Sequence, residues 1–175
     1  MSLIILDRDG VINHDSGDTI ASPADWIPID GSLEAIAKLN QADYRVVVIT
    51  NQPGVELGEV DVETLTKIHS KMRRMLSQVG GKIEAVFYCP HSSIDNCSCW
   101  NPRDSAFSEL ANRLRIDLSN VPVVSTSLQN IKLANSVDAK SILVGSGSTT
   151  EQIPSGIEVY DDLAKVVDHL LGLSS

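Results

Sequence analysis

The chain has 175 residues, 42% of them hydrophobic and 21% charged, enough to bury a core and ordinary in balance for a globular protein. A formal charge of −9 with pI near 4.7 speaks against nucleic acid as a partner, because phosphate backbones are gripped by Lys/Arg patches. No apolar run approaches the roughly 20 residues a membrane span requires, so no membrane partner is expected.

In chain order, Leu3-Ile4-Ile5-Leu6 is a short apolar run ending at Asp7, the pattern of a buried parallel strand. With a strand starting this early there is no room for a signal peptide. Residues 11–31 mix Asn, Asp, Ser, Gly and Pro and read as a loop over the strand end. Ser32 is the expected N-cap of a helix carrying Leu33, Ile36, Ala37 and Leu39. A β-branched strand from Tyr44 to Ile49 runs into Thr50-Asn51-Gln52. Asp61 caps a long helix striped by Leu65, Ile68, Met72, Leu76 and Val79, which Gly80-Gly81 stops. Ala85 to Tyr88 is a third strand leading into Cys89, and a helix from about Asp104 to Arg115 follows a cysteine-rich loop. Val121 to Val124 is strand four, Leu128 to Ser136 a short helix, and Ser141 to Val144 strand five. Ile157 to Tyr160 is a sixth strand, followed by a closing helix from Asp161 to Leu171.

Strands alternating with helices imply an α/β fold of right-handed βαβ units, a parallel sheet with helices on both faces, and a single domain over residues 1–175. Ligands in such folds sit outside the carboxyl ends of the strands. Asp7–Asp9, Thr50–Gln52, Cys89–Asn101 and Ser125–Asn130 each follow a predicted strand, which locates one site built from four loops.

Asp7 and Asp9 lie two apart where the first strand turns, with Gly10 permitting a sharp bend. Paired carboxylates so placed suit a division of labour between a nucleophile that attacks phosphorus and an acid–base that serves the leaving oxygen and then water. Cys89, His91, Cys97 and Cys99 offer three thiolates and an imidazole in C-x-H-x5-C-x-C, a closed tetrahedral set for structural Zn²⁺. Three cysteines within eleven residues form a poor disulfide framework and place the chain in a reducing, cytoplasmic compartment. His14 reads as a solvated loop histidine, and His69 and His169 as surface or packing residues of helices.

Leu6-Asp7-Arg8-Asp9-Gly10-Val11-Ile12-Asn13 resembles the first motif of the haloacid dehalogenase superfamily. It is most similar to the branch of the heptose 1,7-bisphosphate phosphatases and histidinol-phosphatases. Thr50-Asn51-Gln52-Pro53-Gly54-Val55 resembles that branch's second motif, and Cys89-Pro90-His91 with Cys97-Ser98-Cys99 its metal loop. The resemblance spans essentially the whole chain. It implies a Rossmann-like sheet without a large cap domain and hydrolysis of a small sugar or polyol phosphate through an aspartyl-phosphate. It makes Asp7 the nucleophile and Asp9 the acid–base, with Thr50, Asn51, Gln52, Trp100 and Asn101 facing the substrate. It also implies Mg²⁺ held by Asp7, the Asp9 carbonyl and a later carboxylate, in a monomeric enzyme.

Two segments depart from that pattern. Where the family has Arg-Lys-Pro after the last metal cysteine, this chain has Trp100-Asn101-Pro102. Where it has Gly-Asp and a later acid, this chain has Ser125-Thr126 and Asn130, so that Thr126 stands at the Mg²⁺-ligand position. A hydroxyl is a weak ligand for Mg²⁺, and an amide cannot replace an ammonium. Losing one transition-state electrostatic group typically lowers rate by roughly 10²–10³. The sequence therefore implies weakened phosphatase activity. The alternative is a degenerate member that binds a phosphorylated ligand or a protein partner, and the zinc loop as an interaction module ranks last.

Overall fold

The computed structural model describes residues 2–92, 97, 106–145 and 153–173. Six parallel strands form one sheet in the order β3-β2-β1-β4-β5-β6, with β1 at Ser2–Asp7, β2 at Tyr44–Asn51 and β3 at Ala85–Cys89. The other three are β4 (Pro122–Ser125), β5 (Lys140–Val144) and β6 (Glu158–Tyr160). Five α-helices connect them among the described residues: α1 (Ser32–Gln41), α2 (Val62–Gln78), α3 (Ala106–Leu114), α4 (Leu128–Asn135) and α5 (Leu163–Leu170). Each lies within two residues of the bounds read from sequence.

The central strand explains the layering. Side chains alternate across a strand, so Ile4 and Leu6 of β1 face one way and Leu3 and Ile5 the other. Ile4 and Leu6 join a core with Leu33, Ile36 and Leu39 of α1, Leu65, Ile68, Met72 and Leu76 of α2, and Val166 and Val167 of α5. Leu3 and Ile5 join a second core with Phe107 and Leu110 of α3 and Leu133 and Ala134 of α4. Helices thus cover both faces, and a strand buried on both sides reads as a continuous apolar run.

Two local expectations change. Ser32 is the first helical residue of α1 rather than its N-cap; Gly31, at φ 81°, takes the cap, and the Ser32 hydroxyl donates to the Ile12 carbonyl at 2.6 Å. The loop after β1 is not wholly a surface excursion. Val11, Ile12, Ile20 and Trp26 from it are buried, and Trp26 is fully enclosed beside Lys71 of α2, whose ammonium donates to the Trp26 and Pro23 carbonyls. Asp61 caps α2 as expected, accepting from the Thr64 N–H at 2.6 Å.

Strand order reverses around β1: β2 and β3 lie to one side, β4 to β6 to the other. A crevice opens outside the strand ends at such a switch point, here between β1 and β4. Asp7 ends β1 and Ser125 ends β4, and the register Leu6 to Val124 brings those ends side by side.

Candidate active site

A cleft of about 310 Å³ lies over the strand ends, lined by Asp7 and Asp9 from the end of β1, Thr50 to Gly54 after β2, and Thr126 and Ser127 after β4. Asp15, Gly17, Asp18 and Thr19 of the loop after β1 also line it. Three of the four loops expected to converge do so. Of the fourth, Cys99, Trp100 and Asn101 lie outside the described residues.

Asp7 is partly open to the cleft but sits deep between β1 and β4. Its Oδ2 accepts from Ser125 Oγ at 2.8 Å and from Asn130 Nδ2 at 2.9 Å, and its Oδ1 from the Arg8 N–H at 2.9 Å. Burial pushes this carboxyl up to about 7; the neighbouring Asp9 charge adds to the rise, while the donors from Ser125, Asn130 and Arg8 oppose it.

Asp9 is held from three directions. Arg8, fully buried, grips both oxygens: Nε to Oδ1 at 2.8 Å and Nη2 to Oδ2 at 3.0 Å. Asn13 Nδ2 donates to Oδ1 and Gln52 Nε2 to Oδ2, each at 2.9 Å. Bidentate arginine–carboxylate pairs fix geometry as well as charge. Gln52, expected to face substrate, has its amide committed elsewhere: it is buried and also donates to Thr50 Oγ1 at 3.0 Å. Thr50 and Asn51 line the cleft as expected.

Gly10 is required twice over. Its φ of 77° is a conformation side chains rarely adopt, and an added Cβ would stand 2.8 Å from Thr126 Cγ2. Thr126 is thereby packed against the turn that follows the two carboxylates. The acids and lysines that could compensate for its neutrality lie elsewhere. Asp117 accepts from Ser119, Asp162 caps α5, and Lys82 and Lys132 are exposed outside the cleft lining.

Three further findings escaped the sequence reading. His69 is not merely a surface or packing residue: its Nε2 meets Arg8 Nη1 at 3.2 Å. Asn130, read only as a missing acid, donates its amide hydrogen to Asp7. Glu56, in the loop after β2, accepts from both the Ser92 N–H and its hydroxyl, tying that loop to the cysteine loop. His14 is exposed beside the cleft and His169 is exposed near Glu158, as expected of solvated histidines.

The family model of the polynucleotide kinase 3 phosphatases matches residues 2–126. The D-glycero-beta-D-manno-heptose-1,7-bisphosphate 7-phosphatase of Bordetella bronchiseptica is 44% identical over 98% of each chain. The chain belongs to the haloacid dehalogenase superfamily, in the family that contains these heptose-bisphosphate phosphatases. The enzyme of the same description from Pseudomonas aeruginosa is 40% identical, over 97% of this chain and 98% of its own. Among solved structures, the D,D-heptose 1,7-bisphosphate phosphatase of B. bronchiseptica, complexed with magnesium and phosphate, superimposes with a TM-score of 0.91. It is 42% identical over 99% of this chain and all of its own. The Burkholderia thailandensis phosphatase gives 0.75 at 38% identity over the full length of both chains. Membership in the haloacid dehalogenase superfamily explains why the strand-end carboxylates and the Thr50 loop meet where they do.

The two metals expected of this family fare differently against the donors present. Cys89 Sγ and Cys97 Sγ lie 3.3 Å apart, and His91 Nδ1 lies 3.5 Å and 3.0 Å from them. Two soft thiolates and an imidazole converging on one point fit Zn²⁺. At the Mg²⁺ position that the family resemblance implies, Asp7 would supply a carboxylate, which also accepts from Ser125 and Asn130, beside the Asp9 carbonyl and the neutral Thr126 hydroxyl; the Asp9, Asp15 and Asp18 carboxylates line the same cleft.

Proposed function

We propose that this chain is a phosphomonoesterase of low turnover acting on a phosphorylated sugar or polyol, with a heptose 1,7-bisphosphate as the first substrate to try. The observation that carries the reading is the convergence of Asp7, Asp9, Thr50 and Asn51 on one cleft, with Asp9 fixed by Arg8, Asn13 and Gln52. An Asp7 oxygen attacks phosphorus, the P–O bond to the sugar breaks, and Asp9 passes a proton to the departing alkoxide. Asp9 then takes a proton from water, the hydroxide attacks phosphorus, and the Asp7–phosphate bond breaks to release inorganic phosphate. Thr50 and Asn51 supply neutral donors to the phosphoryl oxygens. Zn²⁺ on Cys89, His91, Cys97 and Cys99 would brace the loop that carries Trp100 and Asn101, a structural role only.

Low turnover follows from charge. The described lining of the cleft carries Asp7, Asp9, Asp15 and Asp18 and no lysine or arginine, so little on it offsets the charge of a phosphoryl group in transfer. Phosphate release from a panel of sugar mono- and bisphosphates, with Asp7→Asn as control, tests the reading. Turnover above the control supports hydrolysis; equal traces overturn it.

The single-domain, monomeric and cytoplasmic organisation expected from sequence belongs to this same reading. The one continuous sheet supports the single domain; among the described residues no helix is long and apolar enough to cross a membrane.

A further inference from the structure

The Arg8 guanidinium spends two of its three nitrogens on Asp9. Nε and Nη2 hold the two carboxylate oxygens, while Nη1 points away toward α2 and meets His69 Nε2 at 3.2 Å. A guanidinium only donates, so the imidazole nitrogen must accept, which leaves the ring proton on Nδ1. The contact requires a neutral ring. Burial, with the charges of Arg8 and Arg73 adding to it, pushes His69 down to about 4, so the ring is neutral through the physiological range.

The mounting of this imidazole is rigid. Ile68 and Met72 on the same helix are fully buried in the core. Lys71 is anchored to the Pro23 and Trp26 carbonyls, and Arg73 Nη1 donates to the Ile83 carbonyl at 2.6 Å. These contacts seat α2 against the core, the loop after β1 and the segment before β3, and so fix where His69 stands relative to Arg8. Arg8 itself has no solvent exposure, so a guanidinium nitrogen without an acceptor there has no water to turn to.

We infer that His69 is a positioning residue for Asp9: its Nε2 lone pair fixes the Arg8 fork, and the fork fixes the carboxylate that the proposed reaction uses as acid and base. This rests on the phosphatase reading for its consequence in catalysis, while its structural content stands apart from it. Misplacing a reacting group by about 1 Å can lower rate by roughly 10²-fold, so the contact that orients the Asp9 fork has a kinetic consequence.

The test compares full-length wild type with His69→Leu, which removes the acceptor, and His69→Gln, whose amide oxygen can restore it. Phosphate release gives kcat and KM, thermal melts report folding, and the carboxyl carbon of Asp9 is followed by NMR in protein labelled at aspartate, assigned through Asp9→Asn. His69→Leu is expected to lower kcat about 10-fold or more with KM little changed, and to move the Asp9 carboxyl signal. His69→Gln restores both. An unmoved Asp9 signal in His69→Leu overturns the inference, as does equal impairment in the two variants that tracks only their melting temperatures. Should His69→Leu fail to fold, the imidazole nitrogen spectrum of wild type decides: an unprotonated Nε2 at pH 7 supports the contact and a protonated one refutes it. Should wild type release no more phosphate than Asp7→Asn, the phosphatase reading falls, and the Asp9 signal still judges the role of His69.

Discussion

The ends of β1 and β2 and the end of β4 face each other across one cleft and differ in chemistry. On the first side Asp9 receives four hydrogen bonds from Arg8, Asn13 and Gln52, and Gln52 also secures Thr50. On the second, Ser125, Thr126 and Asn130 present only hydroxyls and an amide, two of them donating to Asp7. An acid at position 126 or 130 would have repelled Asp7 unless a cation stood between them. The neutral donors there oppose the rise of the Asp7 carboxyl without cancelling it, since burial still pushes it up to about 7. The comparison teaches that hydrogen bonds fix Asp9 on one side and only partly offset the burial of Asp7 on the other.

The sharpest way to break the comparison is at its intact side. Asp7→Asn should lower phosphate release by at least about 10³-fold in steady-state assays, because it removes the attacking oxygen. Next is the cysteine loop, which should be needed whichever side limits turnover. Cys97→Ser, or zinc removal by a chelator, should destabilise the protein by more than about 3 kcal/mol, read as a fall in melting temperature that zinc readdition reverses in the chelated wild type.

The pH dependence of stability sharpens the β4 side. The folded Asp7 carboxyl titrates at about 7 and the unfolded one near 3.8, so the native state holds the proton more tightly. The stability this contributes is full below the unfolded value and is lost as pH rises through about 7. In magnesium-free buffer, Asp7→Asn should therefore melt higher than wild type at pH 8, by on the order of 2–4 kcal/mol, and the gap should close toward pH 5. The smallest effect is expected from Gly10→Ala, which forces a methyl against Thr126 in a left-handed turn. It should lower stability by about 1–3 kcal/mol in denaturant titrations, and Thr126→Ser, lacking Cγ2, should relieve part of that in the double variant.

Much of this was legible in the chain. β1, β2 and β4 announce themselves as apolar runs because a strand covered on both faces has no solvent side to encode, and each run stops where a site residue begins. Cys89, His91 and Cys97 were legible because soft ligands so closely spaced have few other uses. What escaped depends on contacts between distant positions. Arg8 meets His69 sixty-one residues away, and Asn130 meets Asp7 across 123, pairings that only the β1–β4 neighbourhood and the seating of α2 can specify. Ser32 was read as the cap of α1, but Gly31 adopts the left-handed conformation and takes that place, and the serine hydroxyl bonds the Ile12 carbonyl instead. Gln52 was assigned to substrate because its motif faces the cleft, whereas its amide is already occupied by Asp9 and Thr50.

The central claim is that the neutral side of the cleft, rather than the intact side, limits turnover. A magnesium titration of phosphate release by wild type and by the Asn101→Lys, Thr126→Asp double variant tests it most directly. The account predicts slow, weakly magnesium-dependent release by wild type and a rise of roughly 10²-fold or more in the double variant, with a marked requirement for magnesium. Fast, magnesium-dependent release by wild type that the double variant does not improve would contradict it.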